Sequence, residues 1–421
     1  MSTRTPIASL QPSSTLVNIS ENADVHLIHL LTENAPSDLL GKTFAADCEG
    51  LIANANAPGL LQMILKDDGA MTSLFNIGPQ LEDCVSAFLL LASLIQRIPS
   101  EQDQSAVAAE VAEAIYKATK FDAVKRIAML AALYNLRVDG VERCRLLEML
   151  VKLASSSPEL NPMLLEGQPL GDMLSANYLQ KLMEFWNVPV LERRNLYHVV
   201  AHGISSLEGS EKRKQRLFLL FLDTYTQRSE LDADALEASK EAAIGAIRDP
   251  VTLFVEQRTM LSMPAILALA DSPATKPLLV LLEIFAKGKL KDYEDFVTAN
   301  GRMLEEFGLS KDECIRHMRL LSLCSLAAEH EEIPYGAIAS TLNVNAEDVE
   351  KWVIDAVSSG LISAKMDQLQ RVVMVERCVV RSFGMEQWQA LQVKLNAWKK
   401  SVKGVLEGLK QSQIAIQEGN L

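Results

Sequence analysis

Positive charge is scarce in this 421-residue chain: 41 Lys and Arg face 54 Asp and Glu, for a formal net charge of −13. The pI is about 5.1. A chain so acidic gains nothing from general attraction to a phosphate backbone, so any nucleic-acid contact needs a local basic patch. Paired cysteine motifs are missing too. Cys48, Cys84, Cys144, Cys314, Cys324 and Cys378 are scattered with no Cys-x-x-Cys, and read as reduced core thiols. The longest apolar run, Val85 to Ile95, is eleven residues and too short to span a bilayer. The first residues are polar, without the apolar core of a signal peptide. These absences lead to the expectation of a soluble, cytoplasmic protein.

Catalytic constellations are absent in the same way. Gly41-Lys42-Thr43 has the ending of a phosphate loop, but Pro36 stands where that loop needs its first glycine. His198 and His202 have the spacing of zinc ligands on a helix, yet Val199 replaces the Glu that serves zinc peptidases as base. His26 and His29 lie on an apolar stretch with no carboxylate partner evident, which favours core or surface use over a metal. No Gly-x-Ser-x-Gly occurs, and no cysteine has the setting of a nucleophile. The expectation is no catalytic residue, no cofactor and no metal.

What is present is helix. With 48% hydrophobic residues the chain can bury a large core. Residues 1–24, with Pro6, Pro12 and a Ser/Thr cluster, read as a loose leader. Amphipathic helices follow to about 330. One carries Val107, Val111, Ala114, Ile115 and Ala118 on a face; the next carries Val124, Ile127, Leu130, Ala131 and Tyr134. A third starts after the Asp139-Gly140 turn, and a Pro-rich break covers Pro158 to Pro169. Further helices are expected over 172–186, 189–204, 212–228, 232–247, 277–286, 293–300 and 311–329. Starts recurring every 15–25 residues without a strict consensus predict a degenerate, right-handed helical-repeat solenoid.

The pattern changes after Glu332. A short helix with Ile338 and Leu342 ends at Asn343-Val344-Asn345, and Asn345 is placed to cap the next helix. Val349, Trp352, Val353, Ala356 and Val357 form that helix's apolar stripe, and Gly360 stops it. Two strand-like runs, Leu361–Met366 and Arg371–Val380, meet across Asp367–Gln370. Helix-turn-helix plus hairpin is the outline of a winged helix. As a DNA reader it fails on charge: Glu347, Asp348, Glu350 and Asp355 oppose Lys351 alone on the would-be recognition helix. The second run could instead pair with a neighbour's strand, through an edge carrying Val373, Val375, Arg377 and Val379. Last, Trp388, Leu391, Leu395, Trp398, Val402, Val405 and Leu409 are spaced 3, 4, 3, 4, 3, 4, a strict heptad seam with basic flanks. Such a seam calls for partner helices.

Several stretches carry a family resemblance: HMRLL (His317–Leu321), EDVEKWVIDAV (Glu347–Val357), KMDQLQRVVMV (Lys365–Val375), RSFGMEQWQAL (Arg381–Leu391), LNAWK (Leu395–Lys399) and AIRDP (Ala246–Pro250). On these the chain resembles the PCI family of the proteasome lid, the COP9 signalosome and translation initiation factor 3, and within it the initiation factor's M-subunit family. The resemblance is continuous from about 240 to 410, looser back to about 100, and weakest before that. It implies a non-catalytic scaffold in a multiprotein complex. It also implies partners among PCI-containing and associated subunits of initiation factor 3, contact with the small ribosomal subunit through the complex, indirect contact with mRNA, and none with DNA or membrane. The alternatives are a signalosome or lid subunit, or a winged-helix nucleic-acid binder. The expected domains are a leader over 1–24, repeats over 25–210, the helical part of the PCI domain over 211–330, its winged helix over 331–380, and a heptad helix with tail over 381–421.

Overall fold

A computed structural model describes residues 23–35, 43–78, 80–156, 174–206, 210–250, 260–381 and 385–417. The phosphate-loop-like stretch from Pro36 to Lys42, the Pro-rich break and all but the last two residues of the leader lie outside the described residues. The chain forms two compact units, 1–225 and 226–421.

The first unit is helical: α1 (Ala23–Glu33), α2 (Phe44–Ala53), α3 (Ala57–Lys66), α4 (Asp68–Asn76), α5 (Leu81–Gln96), α6 (Glu101–Lys117), α7 (Ala123–Leu136), α8 (Gly140–Ser155), α9 (Ala176–Phe185), α10 (Val190–Gly203) and α11 (Glu211–Asp223). Helix starts follow their capping residues. Asp122 accepts from Val124 N at 3.0 Å and Asp139 from Glu142 N at 3.0 Å, each meeting an orphan first-turn donor. The apolar run Val85–Ile95 forms most of α5, whose Phe88, Leu91, Leu94 and Ile95 are buried. Gly140 is required where it stands, because a Cβ there would collide with Trp186.

One expectation changes here. The α6 stripe is buried at Val107, Val111 and Ile115, but α7 turns differently: Met129, Leu130 and Leu133 are buried while Val124 is 37% exposed. Helix α7 packs against α5, α6 and α8 and is apolar nearly all round, so periodicity alone could not choose its face. Helix α11 packs on α10 and α9. Arg194 of α10 lies 3.6 Å from the Tyr225 ring centroid, and the first unit closes there.

The second unit begins with α12 (Ala233–Arg248), α13 (Pro264–Leu267), α14 (Lys276–Lys287), α15 (Leu290–Glu306) and α16 (Lys311–Glu329). Helix α15 is kinked at Asn300. Next come β1 (Glu332–Pro334), α17 (Tyr335–Leu342), α18 (Val349–Ser358), β2 (Ile362–Asp367), β3 (Val372–Cys378) and the long α19 (Met385–Gln417). The three strands form one antiparallel sheet in the order β1-β3-β2. Mostly α with a winged helix and a long C-terminal helix is therefore the observed fold class.

Candidate functional site: the winged helix and the helix after it

The winged helix is built from local signals. Asn343 ends α17 in the left-handed conformation (φ 53°), which Asn tolerates better than most residues. Gly360 does the same after α18 with φ +75°. Asp367 makes the turn between β2 and β3 by accepting from Leu369 N and Gln370 N, both at 3.0 Å. Asn345 does not cap α18. The cap position belongs to Asp348, and Asn345 gives its carbonyl to Asp348 N at 3.0 Å. Val349, Val353 and Ala356 enter the core with Ile338, Leu342 and Val373, while Trp352 is half-buried and Val357 exposed. Two carboxylates of α18 tie the module together. Glu350 accepts from the Tyr335 hydroxyl at 3.2 Å and from Gln368 at 3.1 Å, and Asp355 pairs with Arg316 at 3.1 Å.

Strand β3 is not the outer strand. Val373 pairs with Ile333 of β1 on one side and Met366 of β2 on the other, and is 2% exposed. Val375 is half-buried and its N–H donates to Glu331 O at 2.8 Å. Val379 N donates to Leu361 O at 2.9 Å, and Arg377, opposite Ser363 of β2, is exposed. The three-residue β1 takes the edge that β3 would have offered. The long open edge passes to β2, which pairs with no other strand among the described residues.

Helix α19 carries the heptad seam. Its residues are 37–71% exposed from Trp388 to Leu409, with Trp398 the most open. The flanking Lys394, Lys399, Lys400, Lys403 and Lys410 are exposed too.

Arg381, just before this helix, was missed as a functional residue. Its guanidinium donates to Gly288 O at 3.1 Å, Ile284 O at 3.2 Å, Leu321 O at 3.5 Å, Ser325 Oγ at 3.0 Å and Phe285 O. It thus meets carbonyls at the end of α14, of which Ile284 O already accepts from Gly288 N, and anchors the chain where β3 gives way to α19. Burial pulls it down to about 10. A lone cation after Val379-Val380 was the signal available. Arg126 does the same in the first unit, donating to Ile115 O at 3.0 Å and to Tyr116 O at the end of α6.

The remaining candidates lie elsewhere. His198 and His202 face each other with Nε2 atoms 3.0 Å apart and pack on Phe221 and Phe218. His29 does have a carboxylate partner, Glu33 at 3.2 Å one turn on. Among the described residues no group of three or more His, Cys, Asp or Glu is placed to hold a metal ion. Burial pushes the thiols of Cys144 and Cys324 up to about 12, and those of Cys48 and Cys314 to about 11. None is a thiolate near neutral pH. No helix among the described residues is long and apolar enough to cross a membrane.

Known proteins share these features. The PCI domain model matches residues 290–377, from α15 through β3. A second model, eIF3 subunit M, C-terminal helix, matches 381–409, which starts at Arg381 and ends on the last seam residue. Eukaryotic translation initiation factor 3 subunit M of Aspergillus oryzae is 30% identical over 355 residues, covering 82% of this chain and 73% of the relative. The chain belongs to the translation initiation factor 3 subunit M family. Subunit M of Dictyostelium discoideum is 28% identical over 342 residues, covering 79% of this chain and 80% of the relative. Subunit M of Phaeosphaeria nodorum is 33% identical over 244 residues, or 57% of this chain and 54% of the relative. Both winged helix and C-terminal helix are therefore family features.

Proposed function

We propose that this member of the subunit M family is a non-catalytic, cytoplasmic scaffold of initiation factor 3. It joins PCI-containing and associated subunits through two surfaces. One is the sheet edge of the winged helix at β2, with Val375, Arg377 and Val379 of β3 beside it; the edge of β2, unpaired among the described residues, supports this reading. The other is the seam Trp388, Leu391, Leu395, Trp398, Val402, Val405 and Leu409. Through the assembled factor it supports recruitment of mRNA and initiator tRNA to the small ribosomal subunit. The observation that carries this reading is the exposed α19 seam. Helices in water hold a strict heptad stripe only when another helix covers it, and burying each large side chain is worth roughly 1.5–3 kcal/mol. The lysines beside the seam suit acidic helices.

Changing Leu395, Trp398 and Val402 together to Asp is the test. The seam residues are exposed in the isolated chain, so the variant should melt within about 2 °C of wild type, as surface changes do. It should be lost from the reconstituted factor. Retention in the complex would refute the role of the seam, and a large fall in melting temperature would make the seam part of this chain's own core.

A further inference from the structure

A cleft of about 550 Å³ opens on the helical face of the winged helix, and no residue of β2 or of the α19 seam lines it. Helix α16 supplies Arg316 and Arg319 from one face, since residues three apart share it. Helix α18 supplies Lys351, Trp352 and Asp355, and Asp348 closes the rim. The guanidinium of Arg319 stands 5.5 Å from the Trp352 ring centroid, a cation over an aromatic face. Arg316 is engaged by Asp355 at 3.1 Å. Arg319 Nε is shielded from solvent and has no acceptor among the described residues. A shielded cationic N–H without an acceptor is costly, and a carboxylate arriving in the cleft offsets it by pairing with the other donors of the same guanidinium, which lines the cleft.

The geometry points to a docking pocket for an acidic side chain of a protein neighbour. That carboxylate sits between Arg319 and Lys351, its aliphatic stem lies on Trp352, and a basic residue beside it faces Asp348. The volume is that of a small-ligand or peptide pocket. Charge decides against a nucleic-acid occupant. Asp348 and Asp355 line the same cleft, and Glu347 and Glu350 lie beside it on the chain, so a run of phosphates is repelled where one carboxylate flanked by a base is not.

The test uses the full chain in initiation factor 3 reconstituted from purified subunits. A photocrosslinking residue, benzoylphenylalanine, replaces Asn345 at the rim. On irradiation it should capture one peptide of another subunit, with Asp or Glu near the crosslinked residue and Lys or Arg beside that. Arg319→Glu should cut the yield at least about tenfold, because reversing a buried charge contact costs several kcal/mol. Reversing the mapped acid to Lys should restore it. Lys351→Glu, on an exposed residue, should weaken capture too and covers the case in which Arg319→Glu misfolds. Capture of RNA, of a peptide without an acid, or a yield that neither variant changes would overturn the inference. A second photocrosslinker at Leu395 monitors the seam, so failure of the cleft is told apart from failure of the scaffold reading.

Discussion

Arg381→Met should destabilise the second unit strongly. The side chains are similar in length, but methionine cannot donate to the four carbonyls and one hydroxyl that Arg381 serves. Charge-assisted bonds contribute roughly 1.5–3 kcal/mol each, and not additively. Against them stands the cost of burying the guanidinium. Its fall to about 10 from an ordinary 12.5 corresponds to on the order of 3 kcal/mol. Removing one partner from a buried charged network typically costs about 3–5 kcal/mol net, because acceptors that keep no other donor stay buried and unmet. A unit of 150–250 residues loses roughly 2–4 °C per kcal/mol, so a fall of about 10 °C is expected in scanning calorimetry of the full chain. Arg381→Lys keeps the charge but cannot fork between α14 and α16, and should fall in between. If Arg381→Met melts within about 2 °C of wild type, these bonds contribute nothing net and the anchor is refuted.

Four further outcomes follow from the same geometry. Proline at Ala364 or Lys365 should separate edge from hairpin: successive N–H groups of a strand point to opposite sides, so one substitution removes the outward donor and costs partner binding in pull-downs, while the other breaks pairing with β3 and lowers stability. Equal effects of the two on binding would count against the β2 edge. The five fully buried thiols should resist a maleimide at neutral pH while half-buried Cys378 reacts first, which mass spectrometry of the labelled peptides will show. Folded thiols near 11 or 12 lie above the unfolded value of about 8.5, so their contribution to stability is full below that value and is lost as pH rises toward 12. His317 is held below its ordinary value by burial and by Arg316, against the pull of Asp249 and Glu313. Its contribution is present above about 6.5 and lost as pH falls, because the unfolded chain binds the proton more readily. Denaturant titrations at pH 7 and pH 5.5 should show a smaller loss for His317→Gln than for wild type, and an equal loss would rule the group out.

Local pattern by itself determined most helices, the winged-helix outline and the heptad seam. Lys311–Glu329 was legible to the residue, because it begins at Ser310, which accepts from Glu313 N. Gly360 and Asp367 marked their turns because only a few residue types satisfy left-handed backbone or fold a side chain onto the next amides. The seam was legible because its spacing is the geometry of helix contact written along one chain. Tertiary structure alone decided the rest. Three residues, Glu332–Pro334, have no strand pattern of their own and become β1 only by pairing with Val372–Met374, which moves the open edge from β3 to β2. Helix α7, apolar on several sides, took its buried face from the helices around it. Arg381 became an anchor because the fold brings it to Ile284, 97 residues earlier, and Arg319 faces Trp352 because α16 and α18 pack together. Periodicity reports a residue's neighbours within a few turns; which distant carbonyl or ring a side chain meets depends on how the elements pack.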